Sequence, residues 1–104
     1  MIIATSETIA DMKIGKTLGL ARGNTIRARH LGKDIAALFR NMIGGEVTEY
    51  TKLMGESREQ AIDRMVQNAT ELGANAVVAV RLTTSMLMGG AAEIVAYGTA
   101  VVVE

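Results

Sequence analysis

Apolar residues in this chain repeat at two different spacings, and each change of spacing marks the border of an element. Met1 to Thr5 predicts a short strand, Asp11 to Gly15 a turn region, and Thr17 to Ala28 a longer, irregular strand. Gly19 and Gly23 interrupt that strand, which points to a bulge or a close approach of another backbone. From His30 the period becomes helical: Leu31, Ile35, Leu38, Phe39 and Met42 step by three or four, and Gly44-Gly45 supplies the stop. A second helix is predicted from Val47 to Leu72, with Tyr50, Leu53, Met54, Ala61, Ile62, Met65, Ala69 and Leu72 on one face. Ser57 and Gln60 have capping-box spacing, which would start a new helix at Ser57. The phase runs unbroken from Leu53/Met54 to Ala61/Ile62, however, so a single helix is expected.

The stretch ELGANAVVAVRL, residues 71 to 82, joins a helix end, a turn and a strand opening. Gly73 fits a left-handed cap, Asn75 a turn, and Ala76 to Ser85 a strand. Met86 to Ala91 holds a Gly-Gly connection, and Ala92 to Val103 returns as an antiparallel partner. In that last strand Ile94, Ala96, Gly98, Ala100 and Val102 share one face, and Val95, Tyr97, Thr99, Val101 and Val103 the other. Neither face is plainly polar. The expected fold is α+β, one domain over residues 1–104, in the order β-β-α-α-β-β. Its small antiparallel sheet would be covered on one face by two helices. The second face, with Val77, Ala79, Val95 and Val101, would then have no cover within the chain. At about 25 cal/mol per Å² of apolar surface, leaving several valines wet forgoes several kcal/mol. A second subunit is the expected cover, with that face and the Gly89-Gly90 turn as interface candidates; the alternative is a half-exposed apolar face.

Composition narrows the class. Hydrophobic residues make up 49% of the chain and aromatic ones only 3%, which suits thin helix-on-sheet layers. Eleven basic and eleven acidic residues give zero net charge, so no global field attracts nucleic acid. There is no cysteine, which excludes disulfides, thiolate metal sites and cysteine nucleophiles. The N-terminus lacks the pattern of a secretory signal, and no apolar run reaches the length of a membrane span. A cytoplasmic protein with no membrane partner is expected.

Several blocks carry a resemblance: Gly19 and Gly23, Asp34, Gly44-Gly45-Glu46 with Tyr50, and Ala61, Met65 and Ala69. Leu72-Gly73-Ala74-Asn75-Ala76-Val77-Val78, Arg81 and Ala96-Tyr97-Gly98-Thr99-Ala100-Val101 complete it. Over nearly its whole length the chain resembles the YbjQ family, small bacterial and archaeal proteins of unknown function. The resemblance implies an α+β subunit shaped like that of dodecin and assembled as a ring-shaped homopentamer. It brings a heavy-metal-binding label but no catalytic residues.

The residues can be tested against that label. A transition-metal site wants converging thiolate, imidazole or carboxylate ligands. Here the only candidates are His30, the one imidazole, and the thioethers of Met86 and Met88, which suit a soft ion but equally serve as packing residues. MKIGKT at 12 to 17 resembles the end of a phosphate-binding loop, but Ala10 stands where the pattern needs glycine. No base is patterned beside a serine or threonine for nucleophilic catalysis. Glu46, Glu49, Glu56, Glu59 and Asp63 read as solvated charges beside Lys52, Arg58 and Arg64, whereas Glu93 opens an apolar strand and is a candidate site residue. Arg27, Arg29, His30 and Lys33 gather where the first helix should begin. Positive charge is unfavourable there, so either Asp34 compensates it or an anionic ligand sits on the exposed N–H groups.

The resulting expectation is a non-enzymatic, ring-forming homo-oligomer without a cofactor. It would bind a small anionic ligand at subunit interfaces through Arg27, Arg29, His30, Lys33 and Glu93. The alternative is a heavy-metal-binding module using His30 or Met86 and Met88.

Overall fold

The computed structural model describes residues 1–27, 47–86 and 92–104. Among them the elements are β1 (Ile2–Ile3), β2 (Ile14–Arg27), α1 (Val47–Glu71), β3 (Ala76–Met86) and β4 (Ala92–Val103). The helix expected from His30, its Gly44-Gly45 stop and the glycine connection after Met86 lie outside the described residues. The described order is therefore β-β-α-β-β, with one helix on the sheet where two were expected.

Helix α1 runs unbroken for 25 residues, as the continuous apolar phase predicts. Ala61, Met65 and Ala69, spaced by four, are fully buried, and Ser57 is buried in mid-helix instead of starting a new one. Gly73, at φ +91°, ends the helix in the left-handed region. The Ala74 N–H donates to the Ala69 carbonyl and the Gly73 N–H to the Thr70 carbonyl, each at 3.0 Å. That pair of bonds is a Schellman cap, and it satisfies carbonyls that the helix end would otherwise leave bare. Ala74 also packs against the core cluster that contains Ala69, so the cap seats the chain for its turn into β3.

The sheet has four strands in the order β1-β3-β4-β2. β4 pairs antiparallel with both β2 and β3, as expected. β1 corrects the expectation of a wholly antiparallel sheet: it lies parallel to β3, with Ile2 beside Ala76 and Ile3 beside Val77. The reason is topological. β1 and β2 occupy opposite edges, so the chain between them crosses beneath the sheet instead of closing a hairpin. Asn75 extends the ladder with its side chain. Its Nδ2 donates to the Val103 carbonyl at 2.9 Å, and its Oδ1 accepts from the Val103 N–H at 2.7 Å.

The two glycines in β2 do what their positions suggest. Gly19 sits at φ +117° where the register with β4 shifts. A Cβ on Gly23 would collide with the Met65 nitrogen and the Ala61 carbonyl oxygen, so α1 touches the strand backbone there. Around that contact Ala21, Ala61, Met65, Ala69, Val77, Val80, Ile94, Ala96 and Ala100 form the main core.

On the far side of the sheet the structure changes the cover argument. Val101 is only 1% exposed, and with Ala76, Val78 and Val103 it forms a second cluster. Ile9, in the crossing between β1 and β2, and Ile14 pack against that cluster. Val77 belongs to the helix side and is fully buried. Of the four residues expected to need a partner, only Ala79 and Val95 are half-buried. The chain thus shields one end of its own second face.

Candidate functional site

One irregularity organises the chemistry of β3. Its register with β4 passes from Val78–Thr99 to Arg81–Tyr97, so Ala79 and Val80 together stand against Gly98. This is a β-bulge, and Ala79 takes the left-handed backbone at φ +54°. Gly98 makes room for it: a Cβ there would lie 2.7 Å from Val77 Cγ1 and 2.9 Å from the Val78 carbonyl oxygen. The bulge also reverses the alternation of the strand. Without it Arg81 would face the helix; with it, Val80 and Leu82 take the helix side and Arg81 pairs with Tyr97 on the other.

β1 extends only to Ile3, but the chain after it stays with the bulge. The Ala79 N–H donates to the Ser6 carbonyl at 2.8 Å, and the Val80 N–H to the Ala4 carbonyl at 3.0 Å. Arg81 fastens the same corner. Its Nη1 donates to the carbonyls of Thr5 and Val80, both at 2.8 Å. Between this corner and α1 runs a groove of about 610 Å³, walled by Ile3, Ile62, Val80 and Leu82 with Arg81 in its lining. The groove exists because α1 lies mainly over β2 and β4, so that among the described residues the helix side of outer β3 is left uncovered.

The opposite edge is closed. Asn68 Oδ1 accepts from the Arg22 N–H at 2.9 Å, and Arg64 Nη1 donates to the Asn24 carbonyl at 2.6 Å. Helix side chains thereby cap two outward-facing backbone groups of edge strand β2. Arg64, expected to pair with surface carboxylates, binds the sheet instead. Beside it, on the face turned from the helix, Arg22, Asn24, Glu93 and Val95 line a smaller hollow of about 400 Å³. Asn24 Nδ2 donates to Glu93 Oε2 at 3.1 Å.

Of the candidate residues, the register brings Arg27, Met86 and Glu93 to one end of the sheet. Arg27 and Met86 both stand beside Ala92, and Glu93 lies one position further along, between Ile26 and Ser85. Arg29, His30, Lys33 and Met88 lie outside the described residues. Met86 is 76% exposed. Among the described residues no three or more His, Cys, Asp or Glu side chains are grouped to hold a metal ion. The groove and the anchoring role of Arg81 were not anticipated, although a lone guanidinium in the run AVVAVRLTTSM was the available signal. Among the described residues no helix is long and apolar enough to cross a membrane.

The model of the YbjQ family, described as "Putative heavy-metal-binding", matches residues 1–104. The chain is similar to the UPF0145 protein of Methanosarcina acetivorans, at 63% identity over 97% of this chain and 95% of that protein. It is similar to the UPF0145 protein of Clostridioides difficile, at 56% identity over 100% and 93%. The UPF0145 protein of Pyrococcus furiosus is also 56% identical, over 100% and 91%. In fold the chain is similar to a crystal structure of a DUF74-family protein of unknown function from Pediococcus pentosaceus. The TM-score is 0.59 at 15% identity, covering 100% of this chain and 98% of that one.

Proposed function

The chain belongs to the YbjQ family, whose relatives here are UPF0145 proteins, and from that premise we propose a non-enzymatic homo-oligomer that binds a small anionic ligand where its subunits meet. The copies form a ring, five in number by the family resemblance, and the protein works in the cytoplasm. One observation carries this reading. Beyond the cluster covered by Ile9, no described residue covers the sheet face turned from the helix, which carries Arg22, Tyr97 and Arg81 in one cross-strand row. Leu20 at 59% and Ile26 at 53% exposure flank that row. Tyrosine and arginine are the residues that interface centres favour, and aliphatic neighbours supply the area. Glu93 lies on the same face and the basic run begins at the same end of the sheet, which supports placing the ligand at its margin.

Native mass spectrometry of the untagged protein tests the assembly. The expected mass is a multiple of the 11.0 kDa chain, and Tyr97→Glu, which sets a charge in the centre of the face, should reduce it to single chains. A wild-type protein that runs as one folded chain at micromolar concentration refutes the proposal.

The exposed Met86, at the same end as Arg27 and Glu93, favours a second reading: heavy-metal binding through His30 or through Met86 with Met88. Elemental analysis of the wild type and of a Met86→Leu, Met88→Leu double variant decides it. Metal retained by the wild type and lost by the variant supports the Met pair; negligible metal in both ends the reading.

A further inference from the structure

We propose that the groove between α1 and the β1–β3 edge is a binding site for a small amphiphilic carboxylate, with Arg81 as its charge partner. This site goes beyond the preceding reading: it lies apart from Glu93 and Arg27, is complete within one chain and does not depend on assembly.

Four features lead to that class. First, the walls are apolar: Ile3 and Leu82 are each more than two-fifths exposed, and they face Val80 and the half-buried Ile62 across a concave space. At about 610 Å³ the groove falls within the range of small-molecule sites, about 300 to 1,000 Å³. Second, Arg81 is the one charged residue among the described lining residues. Its side chain leaves β3 on the face turned from the helix, and its Nη1 reaches the β1–β3 edge at the groove, between the Thr5 and Val80 carbonyls. No carboxylate pairs with it among the described residues.

Third, that guanidinium is held in place before any ligand arrives. The Thr5 and Val80 carbonyls take the two hydrogens of Nη1. The remaining donors are on Nε and Nη2, the edge that grips a carboxylate with two parallel hydrogen bonds. An arginine already fixed loses little freedom on binding, which is the usual advantage of a built site. Fourth, the bulge that sets up this corner holds a non-glycine residue in the left-handed region. Backbone strain of that kind concentrates at ligand sites.

A single cation amid apolar walls suits one carboxylate on a hydrocarbon body. A phosphate dianion would want a second cationic donor, and beside Arg81 the described lining offers only the Thr5 hydroxyl.

Sodium octanoate is the probe, titrated calorimetrically into the wild-type protein beside 1-octanol and inorganic phosphate. Octanoate should bind once per chain with a Kd below about 1 mM. Octanol and phosphate should bind at least about tenfold more weakly, since each supplies only half of the recognition. Arg81→Gln should weaken octanoate about tenfold while leaving octanol unchanged, and Arg81→Lys should fall between. Because Arg81 also ties down Thr5, Leu82→Glu is the second variant. It leaves that anchor intact, places a like charge in the groove, and should abolish octanoate binding without lowering the melting temperature. Octanoate binding no tighter than octanol, or unaffected by both variants, overturns the proposal. So does a Leu82→Glu protein whose native mass falls while neither protein binds octanoate, because a second copy then fills the groove. Loss of the wild-type assembly with octanoate binding retained would refute only the oligomer.

Discussion

Under the helix the sheet presents Ala21, Gly23, Ala96, Gly98 and Ala100; on its other side the buried residues are Ala76, Val78, Val101 and Val103. The two faces solve the same burial problem differently. On the first, small residues let a 25-residue helix lie almost on the strands, so specificity comes from the absence of side chains. On the second, larger valines meet a crossing segment that contributes Ile9 and ends at Ile14, and among the described residues the rest of the face is left open. One face is a finished core. The other is half finished, and its open half carries Arg22, Tyr97 and Arg81.

The sharpest way to break this comparison is Gly23→Ala. The added methyl has nowhere to go, because the atoms it meets are helix backbone and not the end of a flexible side chain. Overpacking of this kind costs about 3 kcal/mol, measured as a lower urea midpoint at constant slope. A loss under about 0.5 kcal/mol would mean that the helix does not sit as close to β2 as the geometry requires.

On the opposite face the matching test is Ile9→Ala. Ile9 is half-buried and packs on a small cluster, so about 1 to 2 kcal/mol is expected, less than for a fully buried side chain. The oligomeric mass should not change, since Ile9 covers an end of the face that no neighbour needs to reach. A variant with unaltered stability but altered mass would show that a neighbouring copy, not this segment, shields Val101 and Val103.

How much of this was legible follows from which signals are local. The boundaries of β4, the unbroken helix and the Gly73 cap came from periodicity and from glycine chemistry that acts within a turn. Gly23 was legible for the same reason: a glycine inside a strand marks a bulge or a backbone that must come close. The run AVVAV was not, because a continuous apolar stretch carries no period and hides a bulge at Ala79. Strict alternation without that bulge puts Val77 on the wrong face. The second face was expected to find no cover within the chain, yet Ile9, in the segment SETIAD, covers one end of it. Arg27, Met86 and Glu93 were picked for their chemistry, and only the register shows that they share an end. The groove needed three elements to meet, and no local pattern announces that.

The smallest expected effect bears on the joint between the two faces. Ala79 at φ +54° is placed where an L-residue with a Cβ is disfavoured by about 1 to 2 kcal/mol. Glycine removes that strain but adds freedom to the unfolded chain, which offsets about 0.5 to 1 kcal/mol. Ala79→Gly should therefore stabilise slightly, by less than about 1 kcal/mol, and Ala79→Val should destabilise, because branching at Cβ adds crowding to the same backbone strain. The sign of the glycine result is what matters. A clear loss of stability would show that the bulge relies on the alanine methyl for packing. A gain would show strain tolerated at the residue that decides on which side of the sheet Val80 and Arg81 lie. If Arg81 serves a ligand, that gain should be accompanied by weaker octanoate binding, because a looser bulge holds the guanidinium less firmly against Thr5.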